Sequence, residues 1–345
     1  MSRFISFLKR HPLLFLIILT PGIPEYLSSS SSLSMILFNP LLFFLFLAAN
    51  IALYGSGVIL IREAMIRWRK GWATVILLGM AYAIVEEGLA LRTLFNPNSS
   101  VVGNLGVYGH WMGVNWVWTV GLLIFHSVYS IALPIFLFGL VFPELKRQSL
   151  ARSRGIGLSV VALIIDSVFL QAIVNYDPGV GLLALFSAIA AALVVAGMQV
   201  PANLLKTSPG PARWAPKRYA MLGTALFPAT LLAGGFSAGA NIPPVIPCLI
   251  DFFFMYIILS RTYRSLGSEK NQEHKVGFAI GLLLPVVVFG MVASIAVINP
   301  LILVADFMFV LFSRRLWRKW HHMVILERFS LQPGMPSFGG PASSP

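Results

Sequence analysis

The sequence has little cysteine and little charge. Cys248 is the only cysteine among 345 residues, which excludes an internal disulfide and a cysteine-based zinc cage. Charged residues make up 11% of the chain, whereas a soluble domain carries about 25%. Hydrophobic residues make up 57%, and the mean hydropathy is +0.83. This composition excludes an ordinary soluble globular protein and predicts an all-α, polytopic integral membrane helix bundle.

Apolar segments of near-spanning length recur along the whole chain. Ten are predicted, at 12–27, 40–61, 72–95, 115–142, 155–175, 179–203, 219–240, 244–260, 276–298 and 300–313. The first is short and is interrupted by Pro21 and Pro24. A cleaved signal peptide is the alternative for this segment, although no small-x-small cleavage site clearly follows it.

Basic residues are missing from every second loop. Of the 25 lysines and arginines, all except Arg92 lie before the first segment, after the tenth, or in alternate loops between them. The positive-inside rule therefore predicts ten transmembrane helices with both termini in the cytoplasm. The same rule accounts for the net charge of +13, so the lipid bilayer is the expected partner and nucleic acid is not.

No loop is long enough to fold into a soluble domain. Residues 1–328 are predicted to form a single transmembrane domain. Residues 329–345, which are rich in Pro, Gly and Ser, are predicted to be a disordered cytoplasmic tail.

Polar residues within the spans occur at similar depths. At about 1.5 Å per residue, all lie roughly 9–15 Å from the outer end of their span. This common depth predicts one polar pocket that opens outward. Its predicted members are Asn50, Glu86, Glu87, His126, Asp166, Asp251 and Asp306.

The stretch from Tyr82 to Arg92 places Glu86 and Glu87 inside an apolar segment. A charge in hydrocarbon costs at least about 2.5 kcal/mol, so such residues are functional candidates by default. Adjacent helical residues point about 100° apart. One glutamate is therefore expected to face the pocket and the other a neighbouring helix. Arg92, five or six positions further on, is not expected to pair with either glutamate on a regular helix, although it is kept as a pocket candidate.

His126 is the only histidine within a predicted span. Tyr129 and Ser130 follow at i+3 and i+4, so they share its helix face and are candidates to fix its tautomer. Pro134 is expected to kink the helix below. The segment before this span is rich in Gly, Trp and Asn and includes Trp111, Asn115 and Trp116. It is either an outer loop that ends in an interfacial tryptophan belt or a lid over the pocket.

Paired glutamates followed by an arginine on one helix, with a histidine on the next, resemble the glutamate-dependent intramembrane proteases. These comprise the CAAX-processing and bacteriocin-processing family and its PrsW-type relatives. The resemblance covers residues 82–134 and implies that Glu86, Glu87 and His126 activate water to cleave a peptide bond. Arg92 is one residue further from the glutamates than in that family, and no second intramembrane histidine is present. The EEGL, FNPN and GVNWVW segments also resemble those of uncharacterised prokaryotic multi-span proteins. This second resemblance implies a location in a prokaryotic plasma membrane.

Three functions remain open. The first is a hydrolase for membrane-embedded peptides, with Glu86 or Glu87 as general base, His126 as second base or oxyanion stabiliser and Asn115 as a polar helper. The second is a proton- or cation-coupled transporter with an acidic outer vestibule. The third is a non-catalytic scaffold. Zinc would accept the oxygen and nitrogen donors of this set, but no HExxH motif is present and no metal ligand is assigned.

Overall fold

A computed structural model describes residue 7 and residues 10–204, 210–227, 233–266, 271–296 and 299–330. This part of the chain is almost entirely helical. The helices are α1 (Pro12–Leu27), α2 (Met35–Phe38), α3 (Pro40–Arg67), α4 (Trp72–Ala90), α5 (Trp116–Val141), α6 (Ser153–Ile173), α7 (Val180–Gln199), α8 (Pro216–Phe227), α9 (Ala233–Gly239), α10 (Val245–Ser265), α11 (Gln272–Ala296) and α12 (Ile302–Ser330). Two short strands, β1 (His110–Trp111) and β2 (Val114–Asn115), form an antiparallel hairpin.

Seven helices in the described residues are long and apolar enough to cross a membrane. They are α3, α4, α5, α6, α7, α10 and α11. The all-α membrane bundle is thus confirmed. The first, seventh and tenth predicted spans also contain helix, but α1 is short, α8 and α9 lie on either side of residues that are not described, and α12 carries several charges. The number ten and the side of the termini stay predictions.

The start of α3 has a favoured capping sequence. Asn39 accepts a hydrogen bond from the backbone N–H of Leu42 at 3.1 Å, and Pro40 occupies the first turn of α3. An asparagine N-cap followed by proline is a favoured helix start.

The last helix runs to Ser330, so residues 331–345 of the predicted disordered tail lie outside the described residues.

Helices α4 and α5 lie at the centre of the bundle. In their most apolar stretches, 72% of the residues of α4 and 78% of those of α5 are buried inside the protein. The corresponding shares for α6 and α7 are only 22% and 17%. A Cβ atom on Gly79 of α4 would lie 2.7 Å from the Cα atom of Ser127. The missing side chain therefore lets α4 approach α5 closely, one residue away from His126.

Four helical segments of the described residues are wound as π-helix rather than α-helix: Gly22–Leu27, Ile51–Gly55, Ile84–Ala90 and His126–Ala132. Single π turns inside α-helices are rare and occur frequently at functional sites. Proline accompanies two of them, since Pro24 lies within the first and Pro134 follows the last. Proline removes a backbone donor and so disfavours regular α-helical bonding around it.

Candidate functional site

His126 lies between the two glutamates of α4. Its Nδ1 atom is 3.1 Å from Oε2 of Glu86, and its Nε2 atom is 3.2 Å from Oε1 of Glu87. All three residues are buried, with exposed fractions of 2%, 1% and 8% for His126, Glu86 and Glu87. The predicted association of these three residues is therefore present in the structure.

The expectation that only one glutamate would face the centre is wrong. Both carboxylates contact His126, on different ring nitrogens. The expectation assumed a regular α-helix, whereas Ile84–Ala90 is a π-helix. The imidazole also offers two nitrogens at different edges of its ring, so two differently directed carboxylates can reach one side chain.

Ser130 completes the surroundings of the imidazole. Its Oγ atom lies 3.0 Å from Nδ1 of His126, as the i+4 spacing predicted. Tyr129 does not take part in the same way. It is fully buried, stacks on Phe125 with ring centroids 5.3 Å apart, and packs edge-on against Phe227. Of these two residues, Ser130 is therefore the one that contacts a ring nitrogen of His126.

Glu87 is held by the turn that follows α4. The Thr93 hydroxyl donates to Oε2 of Glu87, and the Trp118 indole N–H donates to the Thr93 hydroxyl at 3.2 Å. The chain reverses at Arg92, which has a left-handed φ of 57°. This conformation is uncommon outside glycine, and here it returns Thr93 to the end of its own helix.

Arg92 itself does not contact the glutamates. Its guanidinium donates to the carbonyl oxygen of Tyr176, in the connection between α6 and α7. The sequence-based expectation that Arg92 would not pair with the glutamates agrees with this position. Arg92 therefore links the connection after α4 to the connection between α6 and α7. A role in binding substrate stays a prediction.

A third carboxylate, Glu25, was not among the candidates. Tyr54 donates to its Oε1 atom at 2.6 Å, and Ser31 donates to its Oε2 atom at 2.7 Å. The Tyr54 ring stacks on the His126 ring with centroids 6.3 Å apart. Asn50, which was a candidate, lies at the edge of this group and donates to Tyr26 at 3.4 Å.

Glu25 and Tyr54 lie in the first two π segments, and the glutamate pair and His126 lie in the other two. All four π segments in the described chain thus contribute to one polar centre. The signal for Glu25 was present in the sequence, because it is an acid at the end of an apolar segment interrupted by two prolines. Tyr82, 4% exposed, adds an aromatic wall with its ring centroid 6.4 Å from that of His126.

The hairpin of β1 and β2 and the start of α5 carry the remaining candidates, which differ in burial. Asn115 is fully buried, and its amide donates to the backbone oxygens of Thr93 at 2.8 Å and Asn96 at 3.1 Å. Trp111 is 66% exposed and Trp116 is 38% exposed. Asn115 therefore supports the turn that carries Thr93, whereas the exposure of the tryptophans suits an interfacial belt better than the lining of a pocket.

The three buried aspartates each have a carboxylate oxygen without a hydrogen-bond partner among the described residues. Asp166 lies on α6, which packs against the π segments of α3 and α4. Asp251 lies on α10 and Asp306 on α12. Both oxygens of Asp251 and of Asp306, and one of Asp166, accept no hydrogen bond within the described structure. Their membership of the pocket stays a prediction.

The centre has the chemical composition of a metal-binding site. Glu86, Glu87 and His126 each offer one ligand atom, and these atoms lie within 4.8 Å of one another. Two carboxylates and one imidazole form an acceptable donor set for zinc. The site also concentrates carboxylates, because the buried Glu86 and Glu87 contact a single imidazole and the partly buried Glu25 bonds to Tyr54, whose ring stacks on that imidazole.

Comparison with known proteins identifies the family of the chain. Residues 14–315 match an uncharacterised membrane protein family. The chain belongs to this family. No curated protein and no solved structure matches the chain. Because the family description states no activity, the functional argument rests on the centre formed by Glu86, Glu87 and His126.

Proposed function

We propose that this family member is an intramembrane hydrolase that cleaves peptide bonds within the bilayer. The observation that carries the proposal is the buried imidazole of His126, with a glutamate oxygen 3.1 Å from one nitrogen and another 3.2 Å from the second. Such groups are costly within a membrane, and their close arrangement offers the base and the charge stabilisation that peptide hydrolysis needs.

The surroundings suggest separate roles for the two glutamates. Glu87 accepts a hydrogen bond from Thr93. Oε2 of Glu86 lies 3.1 Å from Nδ1 of His126 but accepts no well-aligned hydrogen bond from the described residues. In the proposed reaction, Glu86 takes a proton from water while the water oxygen attacks the peptide carbonyl carbon. Protonated His126 stabilises the resulting oxyanion. Glu86 then returns its proton to the departing amine, and the C–N bond breaks.

The decisive experiment compares purified wild type with Glu86→Gln, Glu87→Gln and His126→Ala. Each protein is incubated with membrane-spanning and lipidated peptides, and products are identified by mass spectrometry. Loss of a general base is expected to slow cleavage by about 10²–10⁴-fold. Asp177→Asn is the matched control, because Asp177 is an exposed acid that accepts from the backbone of Gly179 at 2.9 Å, outside the site. Equal cleavage by wild type and all three site variants would refute the proposal.

The same three side chains would hold a divalent metal such as zinc, which would polarise the peptide carbonyl. Elemental analysis of wild type and His126→Ala tests this part separately. Stoichiometric metal in wild type, with a loss in the variant, would support metal binding. Cleavage by protein without metal would assign the reaction to the side chains alone.

A cation- or proton-coupled transporter is the second candidate, and one observation favours it. Asp166, Asp251 and Asp306 are buried acids with carboxylate oxygens that have no hydrogen-bond partner among the described residues. Intramembrane acids of this kind often mark ion or proton pathways. A pH-dependent cation flux in liposomes that is lost in Glu86→Gln, together with no peptide cleavage by wild type, would favour transport.

A further inference from the structure

Tyr82 carries a buried hydroxyl that has no partner among the described residues. The residue is 4% exposed, and its hydroxyl makes no well-aligned hydrogen bond within that part of the chain. Burying a polar group without a partner costs stability, and such groups in native proteins often have a catalytic use. A hydroxyl of this kind can also bind a substrate without first breaking a bond to the protein.

The Tyr82 ring lies against the imidazole of the polar centre. Its centroid is 6.4 Å from that of His126 and 6.1 Å from that of Tyr54, and the Tyr54 and His126 centroids are 6.3 Å apart. Tyr82 also precedes Glu86 by four residues on α4, a spacing that brings side chains together on a helix. The hydroxyl lies close to the Glu86 carboxylate but makes no well-aligned hydrogen bond to it. It therefore belongs to the same centre as the proposed base.

A glycine of α3 makes room for this ring. A Cβ atom on Gly57 would lie 2.4 Å from Cε2 of Tyr82, which is too close for two carbon atoms. Any larger residue at position 57 would therefore displace the ring. Tyr54 lies on the same helix, so α3 both supplies one aromatic neighbour of Tyr82 and fixes the place of its ring.

The donors of the two neighbouring rings are already engaged. Both nitrogens of His126 face glutamate oxygens, at 3.1 and 3.2 Å, and the Tyr54 hydroxyl donates to Glu25 at 2.6 Å. Among these three rings, the uncommitted donor is the Tyr82 hydroxyl. Oε2 of Glu86 is an acceptor without a well-aligned bond. Peptide hydrolysis needs an acceptor for the attacking water and a donor for the carbonyl oxygen, and the centre offers one of each.

We propose that Tyr82 is a catalytic residue whose hydroxyl donates a hydrogen bond to the carbonyl oxygen of the peptide bond that is cleaved. This inference rests on the proposed function. When water adds to the carbonyl carbon, the π electron pair of the C=O bond moves to the oxygen, and the Tyr82 hydroxyl stabilises this oxyanion while keeping its own proton. When the pair returns, the C–N bond breaks and the amine takes the proton held by Glu86. His126 acts on the same oxyanion through its positive charge.

Steady-state kinetics of Tyr82→Phe test the proposal, with a membrane-spanning peptide that wild type cleaves. Loss of an oxyanion donor is expected to lower kcat by about 10²–10³-fold. KM should not change, because the bond is made mainly in the transition state. Tyr129→Phe is the matched control and should cleave as wild type does. Tyr129 is also buried and its hydroxyl is also without a partner among the described residues, but its ring packs against Phe125 and Phe227.

The outcomes separate this inference from the proposed function. Cleavage by Tyr82→Phe at the wild-type rate would overturn the role of Tyr82 and leave the hydrolase standing. A wild type that cleaves none of the peptides would overturn both. An equal loss in Tyr129→Phe would also overturn the role of Tyr82, since it would show that removing any buried hydroxyl of this helix bundle lowers the rate.

Two further measurements separate chemistry from folding. Because the hydroxyl has no partner to lose, the Tm of Tyr82→Phe should equal or exceed that of wild type, and a lower Tm would contradict the proposal. A peptide with a phosphonamidate at the cleaved bond mimics the tetrahedral oxyanion, and Tyr82→Phe should bind it about 10²–10³-fold more weakly. Equal binding would overturn the proposal. Gly57→Ala, which displaces the ring, should lower kcat in wild type but not further in Tyr82→Phe.

Discussion

Tyr54 is the residue that links Glu25 to the imidazole. Its hydroxyl donates to Glu25 at 2.6 Å while its ring stacks on His126. In Tyr54→Phe the buried ring remains and the donor is lost, so the partly buried carboxylate of Glu25 keeps, among the described side chains, only the bond from Ser31. Removing a hydrogen bond to a carboxylate is expected to cost about 1–3 kcal/mol of unfolding free energy. Denaturation of the purified protein, followed by circular dichroism, measures this difference.

Tyr256→Phe, the same substitution at a different position, is the control for Tyr54→Phe. Tyr256 lies on α10, is 59% exposed, and makes no hydrogen bond to the described residues, so its substitution removes no bond within the described structure. A loss in Tyr54→Phe no larger than in Tyr256→Phe would mean that the bond to Glu25 adds no stability. A double variant with Glu25→Gln provides a second test, because the two losses should be less than additive if the two groups interact.

At the scale of elements, glycines determine how α8 meets α11. A Cβ atom on Gly281 would overlap the carbonyl of Ala220, and one on Gly277 would lie too close to the carbonyl of Pro216. These glycines form a G-x-x-x-G pattern, which allows close helix contact in membranes. Gly281→Ala should therefore force the helices apart and cost about 1–3 kcal/mol, as overpacking generally does. Thermal unfolding in detergent measures the shift.

Gly181 gives the opposite expectation for the same substitution. It lies on α7, and no atom lies within 4 Å of the position that its Cβ atom would take after substitution. Replacing a helical glycine by alanine without a clash stabilises a helix by about 0.5–1 kcal/mol. The two variants should differ in sign, and a Gly281→Ala protein as stable as Gly181→Ala would show that α8 and α11 do not depend on this contact.

At the scale of the whole molecule, the helical membrane bundle could be predicted from the sequence, and so could the grouping of Glu86 and Glu87 with His126. Charges in apolar segments are expensive, so Glu86, Glu87 and His126 could be singled out before their contacts were known. The geometry of their contact could not be foreseen, because hydrophobic pattern does not distinguish a π turn from an α turn. Glu25 was missed for a related reason, since its π segment continues a short first helix that pattern alone leaves poorly defined.

The number of membrane crossings has a consequence that can be measured. Seven crossings would place the two termini on opposite sides, whereas ten would place them on the same side. The difference depends partly on whether residues 216–239, which include α8 and α9, cross the bilayer. The basic residues on the N-terminal side of this stretch and their absence immediately after it favour a crossing.

Single cysteines in a Cys248→Ser background would test this prediction in intact cells. Ala202 and Ala240 are exposed residues on either side of the stretch, and Gln148 and Asn98 are exposed in the fourth and third connections between predicted spans. With ten crossings, a membrane-impermeant maleimide should label Asn98→Cys and Ala240→Cys, but label Ala202→Cys and Gln148→Cys only after permeabilisation. If Ala202→Cys and Ala240→Cys label from the same side, residues 216–239 do not cross, and the positive charge near them must instead lie along the membrane surface.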